Sequence, residues 1–196
     1  MKLRNPYDHI AEQWHSSSRV FRARKYVDMT LQGLQPGANI LDWGCGTGTP
    51  IAQYLIRRGF RVVGVDNSEK MLEIARRVIP EAKLIRGDML DLELDGQFSA
   101  AIAWDSIFHI ERVHHRAIFL KLYELLEPGG RLLLSAGGSG VEGFTSEMYG
   151  QTFFYSGHEP EVTMGLVRAE GFEIDFWEVD DSSSKGHIAV VATKVG

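Results

Sequence analysis

A glycine-rich turn bordered by acidic residues is the part of the sequence best suited to hold a ligand. Asp42 is followed by Gly44, Gly46 and Gly48, which are spaced two residues apart. Glycine adopts positive φ angles and lets a ligand approach the backbone, and the helix expected after the turn would offer unpaired N–H groups at its start. Asp66 lies about twenty residues further on, a position from which a carboxylate can accept both hydroxyl groups of a ribose. These residue types in this order are typical of a nucleotide site.

Three apolar stretches must position these groups. They lie at residues 40–41, 60–65 and 84–86, and each ends in a glycine-rich or acidic turn. Helical patterns separate the stretches, so we predict that they are strands of one parallel sheet. Because the carboxyl ends of parallel strands meet at one edge of a sheet, we expect the glycines, Asp66 and Asp88 to lie together there. Open α/β folds bind their ligands at that edge.

Four motifs follow one another along the chain. They are Ile40 to Gly48, Val65 to Met71, Gly87 to Met89 and Leu126 to Gly130. Together they resemble the class I S-adenosylmethionine-dependent methyltransferases over roughly residues 37 to 136. Trp43 is a departure, since the family more often has a smaller aliphatic residue there. The resemblance implies an α/β fold of three layers, with a seven-stranded, mostly parallel sheet whose strand seven is antiparallel, and an N-terminal helical cap.

The same resemblance implies S-adenosylmethionine as the cofactor and S-adenosylhomocysteine as the product. Asp66 would bind the ribose, and Asp88 would accept a hydrogen bond from the adenine amino group beside Met89. The other residues that the resemblance places in the cofactor site are Tyr7, Trp14, Asp42, Gly44, Gly46, Gly48, Asn67 and Trp104. Trp104 would contribute mainly its backbone carbonyl.

The fourth predicted strand spans residues 98–104. The turn that follows it is expected to face the methyl acceptor. By the resemblance, Asp105, Ser106 and His109 would lie beside the transferable methyl group. A histidine titrates near neutral pH and could accept a proton from a hydroxyl or amine, so His109 is a candidate catalytic base, with Asp105 as its neighbour. The alternative is that His109 caps a helix or forms a hydrogen bond inside a satisfied core.

The first 35 residues are predicted to form a cap of one short and one longer helix. Tyr7, Ile10, Ala11 and Trp14 would share one face of the first helix. This helix could simply pack on the core. It could also be a lid whose aromatic rings cover the cofactor, as in methyltransferases with a similar opening segment.

The remaining segment, 36–196, is predicted to be the Rossmann-like core of a single methyltransferase domain that spans 1–196, since this length suits one hydrophobic core. Residues 136–158 are predicted to be a glycine-rich loop insertion. Their aromatic side chains could form a substrate pocket or a closing flap, or they could complete the core. Residues 180–186 are predicted to be a polar hairpin turn. We expect His114 and His115 to be surface groups and predict no metal site.

Composition limits the partners and the compartment. The formal net charge of -5 disfavours a broad nucleic-acid surface, although Arg19, Arg22, Arg24 and Lys25 form a small basic run. Cys45 is the only cysteine, so no internal disulfide is possible. No apolar run approaches the ~20 residues that span a bilayer, which predicts a cytoplasmic protein without a membrane partner.

The sequence therefore predicts transfer of a methyl group to an oxygen, nitrogen or sulfur atom of a small molecule, by a monomer or homodimer. RNA or protein methylation through the basic run is one alternative. A regulatory protein that binds S-adenosylmethionine without turnover is another. A nicotinamide oxidoreductase is disfavoured by the G-x-G-x-G spacing and by Asp88 after the third predicted strand.

Overall fold

A twisted sheet forms the centre of the computed structural model, which describes residues 5–17, 20–181 and 186–196. The strands are β1 (Asn39–Trp43), β2 (Arg61–Asp66), β3 (Lys83–Arg86), β4 (Phe98–Ala103), β5 (Leu126–Ala136), β6 (Phe144–Met148), β7 (Gln151–Tyr155), β8 (Phe172–Asp181) and β9 (His187–Lys194). Within the described residues, seven of them form one sheet in the order β3-β2-β1-β4-β5-β9-β8. Strand β9 runs antiparallel to both of its neighbours, and the other adjacent strands are parallel. The predicted fold class is confirmed.

Helices cover both faces of this sheet. They are α1 (Tyr7–Ser16), α2 (Arg24–Thr30), α3 (Ile51–Arg57), α4 (Glu69–Val78), α5 (His115–Leu125) and α6 (Pro160–Ala169). One buried cluster joins the sheet to α2, α3 and α4, and a second joins it to α5 and α6. Ile40 belongs to the first cluster and Leu41 to the second, because successive side chains of a strand point to opposite faces. Trp43 is fully buried in the second cluster, so the large ring fits.

The N-terminal helix α1 is docked on α4. Ala11 packs against Met71 and Ile74, and Asp8 accepts a hydrogen bond of 2.6 Å from the Ser68 hydroxyl. Ser68 also caps α4, since its Oγ accepts a hydrogen bond from the Met71 backbone N–H. The helix therefore lies beside the turn after β2, where the sequence placed the ribose ligand.

Three details differ from the sequence-based predictions. The segment 136–158, predicted as a loop, contains the antiparallel hairpin β6–β7. Asp180 and Asp181, predicted in a turn, are the end of β8, and residues 182–185 of that predicted turn lie outside the described residues. His115, predicted at the surface, is fully buried.

No helix in the described part of the chain has the combined length and apolar character needed to cross a membrane.

Candidate active site

A cavity of about 600 Å³ opens at the carboxyl edge of the parallel strands, a size typical of small-molecule sites. The predicted site residues that line it are Tyr7, Trp14, Asp42, Gly44, Gly46, Asp66, Asn67, Asp88, Met89, Trp104, Asp105 and His109. Gly48 is not among the lining residues. Its φ is +77°, and an added Cβ would lie 2.5 Å from Ile79 Cδ1, so Gly48 allows the turn to pack against the end of α4.

The turn after β1 is held against the end of β2. The backbone N–H groups of Gly44 and Cys45 both donate to the Val65 carbonyl, at 2.8 and 2.9 Å. Gly44 has a φ of +93°, and an added Cβ would lie 2.4 Å from Ser106 Cβ. The absent side chain at this position thus permits close contact between the turns after β1 and β4.

Asp66 organises the turn as well as lining the cavity. Its Oδ2 accepts a hydrogen bond from the Gly46 backbone N–H, and its Oδ1 accepts one from the Ser68 N–H, each at 2.8 Å. Burial raises the pKa of this carboxyl group, and these backbone hydrogen bonds oppose the shift. The sequence predicted a ribose ligand here, but gave no sign that the same carboxylate joins the glycine turn to the start of α4.

Asp42 is almost fully buried, with 3% of its surface exposed. Burial raises the pKa of this carboxyl group to about 7, and the nearby charge of Asp66 adds to the effect. Several other carboxylates line the cavity, namely Asp66, Asp88, Asp105 and Glu111, and none of the described lining residues is a lysine or arginine. The cavity therefore favours a cationic or neutral ligand over an anionic one.

His109 connects the turn after β4 to α1 and to the hairpin. The Phe154 carbonyl lies 2.9 Å from Nδ1, and the Tyr7 hydroxyl lies 2.9 Å from Nε2. A carbonyl can only accept, so Nδ1 carries a proton and the neutral ring accepts from Tyr7 at Nε2. Burial lowers the pKa of His109, although the hydrogen bond to the Phe154 carbonyl opposes this shift. His109 is thus a neutral imidazole whose basic nitrogen faces a phenol.

Aromatic rings from α1 and β7 meet above the cavity. The Tyr7 ring centroid lies 4.7 Å from that of Phe153 and 5.7 Å from that of Trp14, both in edge-to-face arrangements. Phe153 and Phe154 also line the cavity. The helix and the hairpin therefore close one side of the site together, which the sequence could not show because it left the partner of α1 undetermined.

Two further groups at the β4 end take part in structural contacts. The Ser106 hydroxyl donates to the Trp43 carbonyl at 3.0 Å, and it lines the cavity beside Gly44. Buried His115 donates from Nε2 to the Ile110 carbonyl at 2.9 Å and so supports the turn that carries His109. His114, in contrast, is exposed at the cavity lining.

A histidine that sequence reasoning did not select lies behind Asp105. His187, the first residue of β9, has Nε2 3.0 Å from Asp105 Oδ1. Its Nδ1 contacts Asp180 Oδ1 at the end of β8. The available signal in the sequence was weak, since it consisted of a histidine shortly after an acidic segment. The three groups come together only because β9 pairs with β8 on one side and with β5, the neighbour of β4, on the other.

Comparisons with known proteins identify relatives of this chain. Residues 40–130 match a family model described as a methyltransferase domain. A dTDP-3-amino-3,4,6-trideoxy-alpha-D-glucopyranose N,N-dimethyltransferase of Streptomyces venezuelae is 33% identical over 110 residues, which cover 55% of this chain and 46% of the relative. A carboxy-S-adenosyl-L-methionine synthase of Klebsiella pneumoniae strain 342 is 34% identical over 113 residues, which cover 52% of this chain and 44% of the relative. The matches thus span less than half the length of each relative.

Among solved structures, the fold is similar to that of S-adenosylmethionine-bound CalS10, an amino pentose methyltransferase from Micromonospora echinaspora. The TM-score is 0.70 at 20% sequence identity, and the match covers 100% of this chain and 99% of that one. At this identity the likeness establishes the fold and leaves the chemistry to the residues of the site.

Proposed function

We propose that the chain is a class I S-adenosylmethionine-dependent methyltransferase and that it transfers the methyl group of S-adenosylmethionine to an oxygen, nitrogen or sulfur atom of a small molecule; the match of residues 40–130 to a methyltransferase domain supports this proposal. The observation that carries this proposal is the acidic cavity at the carboxyl edge of the sheet. A cofactor with a sulfonium and an ammonium group suits a cavity whose described lining contains carboxylates and no lysine or arginine.

Polar groups of the cavity fit the remaining parts of that cofactor. Thr49 lines the cavity, and its buried Oγ1 has no hydrogen-bond partner among the described residues. A carboxylate of a bound amino acid group could supply that partner. Above Gly46, an added Cβ would meet no atom within 4 Å, so the turn leaves room for a ligand against the backbone. Asp66 would serve the ribose, and Asp88 with Met89 would serve the adenine.

The chemistry requires little from the protein beyond alignment and the exclusion of water. Bound S-adenosylmethionine supplies an electrophilic methyl group on a positive sulfur. Correct orientation of the acceptor can account for on the order of 7–11 kcal/mol of the barrier. His109 can receive the acceptor's proton at Nε2, and because the Tyr7 hydroxyl is bonded there, Tyr7 must either relay that proton or move aside.

A small-molecule acceptor is favoured by the enclosure of the cavity between α1 and the hairpin β6–β7. The described cations of the basic run proposed for RNA binding all have acidic partners, since Arg22 pairs with Asp181, Lys25 with Glu178, and Arg24 with Asp28 at 3.8 Å. Arg19 lies outside the described residues. Affinity for RNA that rises steeply as salt is lowered would instead support the nucleic-acid alternative.

Calorimetry and a turnover assay test the proposal. S-adenosylhomocysteine should bind and NAD should not, and Asp66→Asn should weaken binding by roughly 1–3 kcal/mol, the cost of losing a charge-assisted hydrogen bond. Incubation of the protein with S-adenosylmethionine and a panel of amines, phenols and thiols should release S-adenosylhomocysteine. Tight cofactor binding without release across the panel would favour the regulatory alternative, and NAD binding would overturn the proposal.

The lid role of α1 is testable through a single hydroxyl group. Tyr7→Phe keeps the ring contacts to Phe153 and Trp14 but removes the hydrogen bond to His109. Loss of this bond favours movement of α1 away from the hairpin by about 0.5–1.5 kcal/mol, so we expect affinity for S-adenosylhomocysteine to fall about 3- to 10-fold and the melting temperature to fall by no more than a few degrees. Calorimetry and thermal unfolding measure the two quantities, and Tyr149→Phe, at an exposed position of the hairpin turn, is the matched control. A lower melting temperature with unchanged affinity would show that α1 only packs on the core.

A further inference from the structure

A buried histidine lies between two carboxylates at the acceptor side of the cavity. His187 Nε2 is 3.0 Å from Asp105 Oδ1, and its Nδ1 contacts Asp180 Oδ1. The His187 and Asp180 side chains are 8% and 3% exposed, whereas that of Asp105 is 36% exposed and lines the cavity. The three groups thus form a chain that begins inside the protein and ends at the cavity.

The backbone of Asp105 is held in an uncommon conformation. Its φ is +52°, in the left-handed region that a residue with a side chain seldom adopts. The Asp105 N–H donates to the Oγ of buried Ser135, at 2.8 Å. Left-handed conformations persist where the surroundings fix them, and they are frequent at functional sites. Here Ser135 of β5 holds the backbone of Asp105, and His187 of β9, itself held by Asp180 of β8, contacts its carboxylate.

We propose that His187, held by Asp180, is a positioning residue that fixes the Asp105 carboxylate where it accepts a hydrogen bond from the N–H or O–H group of the methyl acceptor. This inference rests on the proposed function. The inference names Asp105 as the anchor for the acceptor, and it names His187 and Asp180 as residues that act through Asp105.

The protonation of His187 supports the pairing. Nδ1 is hydrogen-bonded to Asp180, whereas the contact of 3.0 Å between Nε2 and Asp105 Oδ1 is an ion pair without hydrogen-bond geometry. Both ring nitrogens carry a proton only when the imidazole is a cation, which is the form that two carboxylates favour. Burial lowers the pKa of His187, but its interactions with the carboxylates of Asp105 and Asp180 outweigh burial and raise it to about 9. Arg22 also approaches these acids, but it is paired with Asp181. At neutral pH, Asp105 therefore faces a fixed cation.

Packing holds the ring in place. The centroids of Trp104 and Phe108 lie 5.5 and 5.7 Å from that of His187, both in edge-to-face arrangements. Burial of several ionisable groups carries a desolvation cost, and apolar residues of similar volume would fill a core as well or better. The role of His187 and Asp180 in placing the Asp105 carboxylate at the cavity explains why ionisable groups, and not apolar ones, occupy this position.

Two substitutions of the same histidine separate positioning from packing. The amide nitrogen of Gln reaches about as far as Nε2, so His187→Gln keeps a donor for Asp105. His187→Asn places its amide nearer to Nδ1, so it keeps a donor for Asp180 only. With an acceptor found in the panel, we expect kcat/KM to fall about 10- to 100-fold in His187→Asn, and Gln to restore most of this loss. Affinity for S-adenosylhomocysteine should stay unchanged in both variants.

Nuclear magnetic resonance of isotope-labelled histidine tests the pairing without any acceptor. His187 should remain cationic well above pH 7, and Asp105→Asn should lower its pKa. A neutral His187 at pH 7 would overturn the inference. Equal losses of kcat/KM in the Gln and Asn variants, or a parallel loss of cofactor affinity, would also overturn it by pointing to a structural role. Failure of the unsubstituted protein to methylate any acceptor would contradict the proposed function and the acceptor role of Asp105, while the resonance data would still decide the pairing.

Discussion

Gly44→Ala is expected to abolish detectable cofactor binding and to lower the free energy of unfolding by about 2–5 kcal/mol. Its φ of +93° is unfavourable for a residue with a side chain, and the new Cβ would lie 2.4 Å from Ser106 Cβ and 2.9 Å from Met89 Cε. The backbone strain costs about 1–2 kcal/mol, and overpacking adds about 1–3 kcal/mol. Because Gly44, Ser106 and Met89 all line the cavity, any relaxation also changes its shape. Denaturant unfolding and calorimetry with S-adenosylhomocysteine measure the two effects.

Gly46→Ala is the matched control. Gly46 lies in the same turn with a φ of +54°, but an added Cβ would meet no atom within 4 Å. Gly46→Ala should therefore lower the free energy of unfolding only by the cost of backbone strain, about 1–2 kcal/mol. Equal destabilisation by the two substitutions would contradict the close contact between the turns after β1 and β4.

Asp42→Asn is expected to stabilise the ligand-free protein at alkaline pH. The pKa of the Asp42 carboxyl group is 3.8 when unfolded and about 7 when folded, so the folded state holds its proton more tightly. Stability contributed by the protonated form is therefore present below about pH 4 and is lost progressively as the pH rises to about 7. The loss reaches up to about 4 kcal/mol, at 1.36 kcal/mol for each pKa unit. Asparagine stays neutral at every pH, so the Asp42→Asn variant avoids this loss of stability.

Unfolding free energies measured between pH 4 and pH 9 test this expectation. The difference between Asp42→Asn and the unsubstituted protein should be small at pH 4 and should grow until about pH 7, then level off. Asp91→Asn, at an exposed position, is the control. The same Asp42 variant should bind S-adenosylhomocysteine more weakly, because the ammonium group of this ligand favours the ionised carboxylate. A stability difference that does not vary with pH would contradict the burial of an ionisable Asp42.

Local patterns in the sequence were sufficient to predict the edge of the sheet at which the cavity opens. Parallel strands buried on both faces appear as short apolar runs, and the turns that follow them are punctuated by glycine and acidic residues. Gly44, Asp66 and Asp88 could therefore be assigned to one edge of a sheet before any contact was known. The motifs also predicted the antiparallel last strand, through their resemblance to a known family. The ribose and adenine roles of these acids remain predictions.

Contacts between distant segments decided the acceptor side of the cavity. His109 could be named as a candidate base, but only the folded chain places Tyr7 at one ring nitrogen and the Phe154 carbonyl at the other. Likewise, His187 is one strand residue among several until the position of β9 between β8 and β5 places it between Asp180 and Asp105. Hydrophobic periodicity specifies which face of an element is buried, but it does not specify which side chains meet across elements. The sequence alone therefore determined the architecture and the edge of the sheet at which the cavity opens, whereas the tertiary structure decided the partners and protonation of the groups that would handle the acceptor.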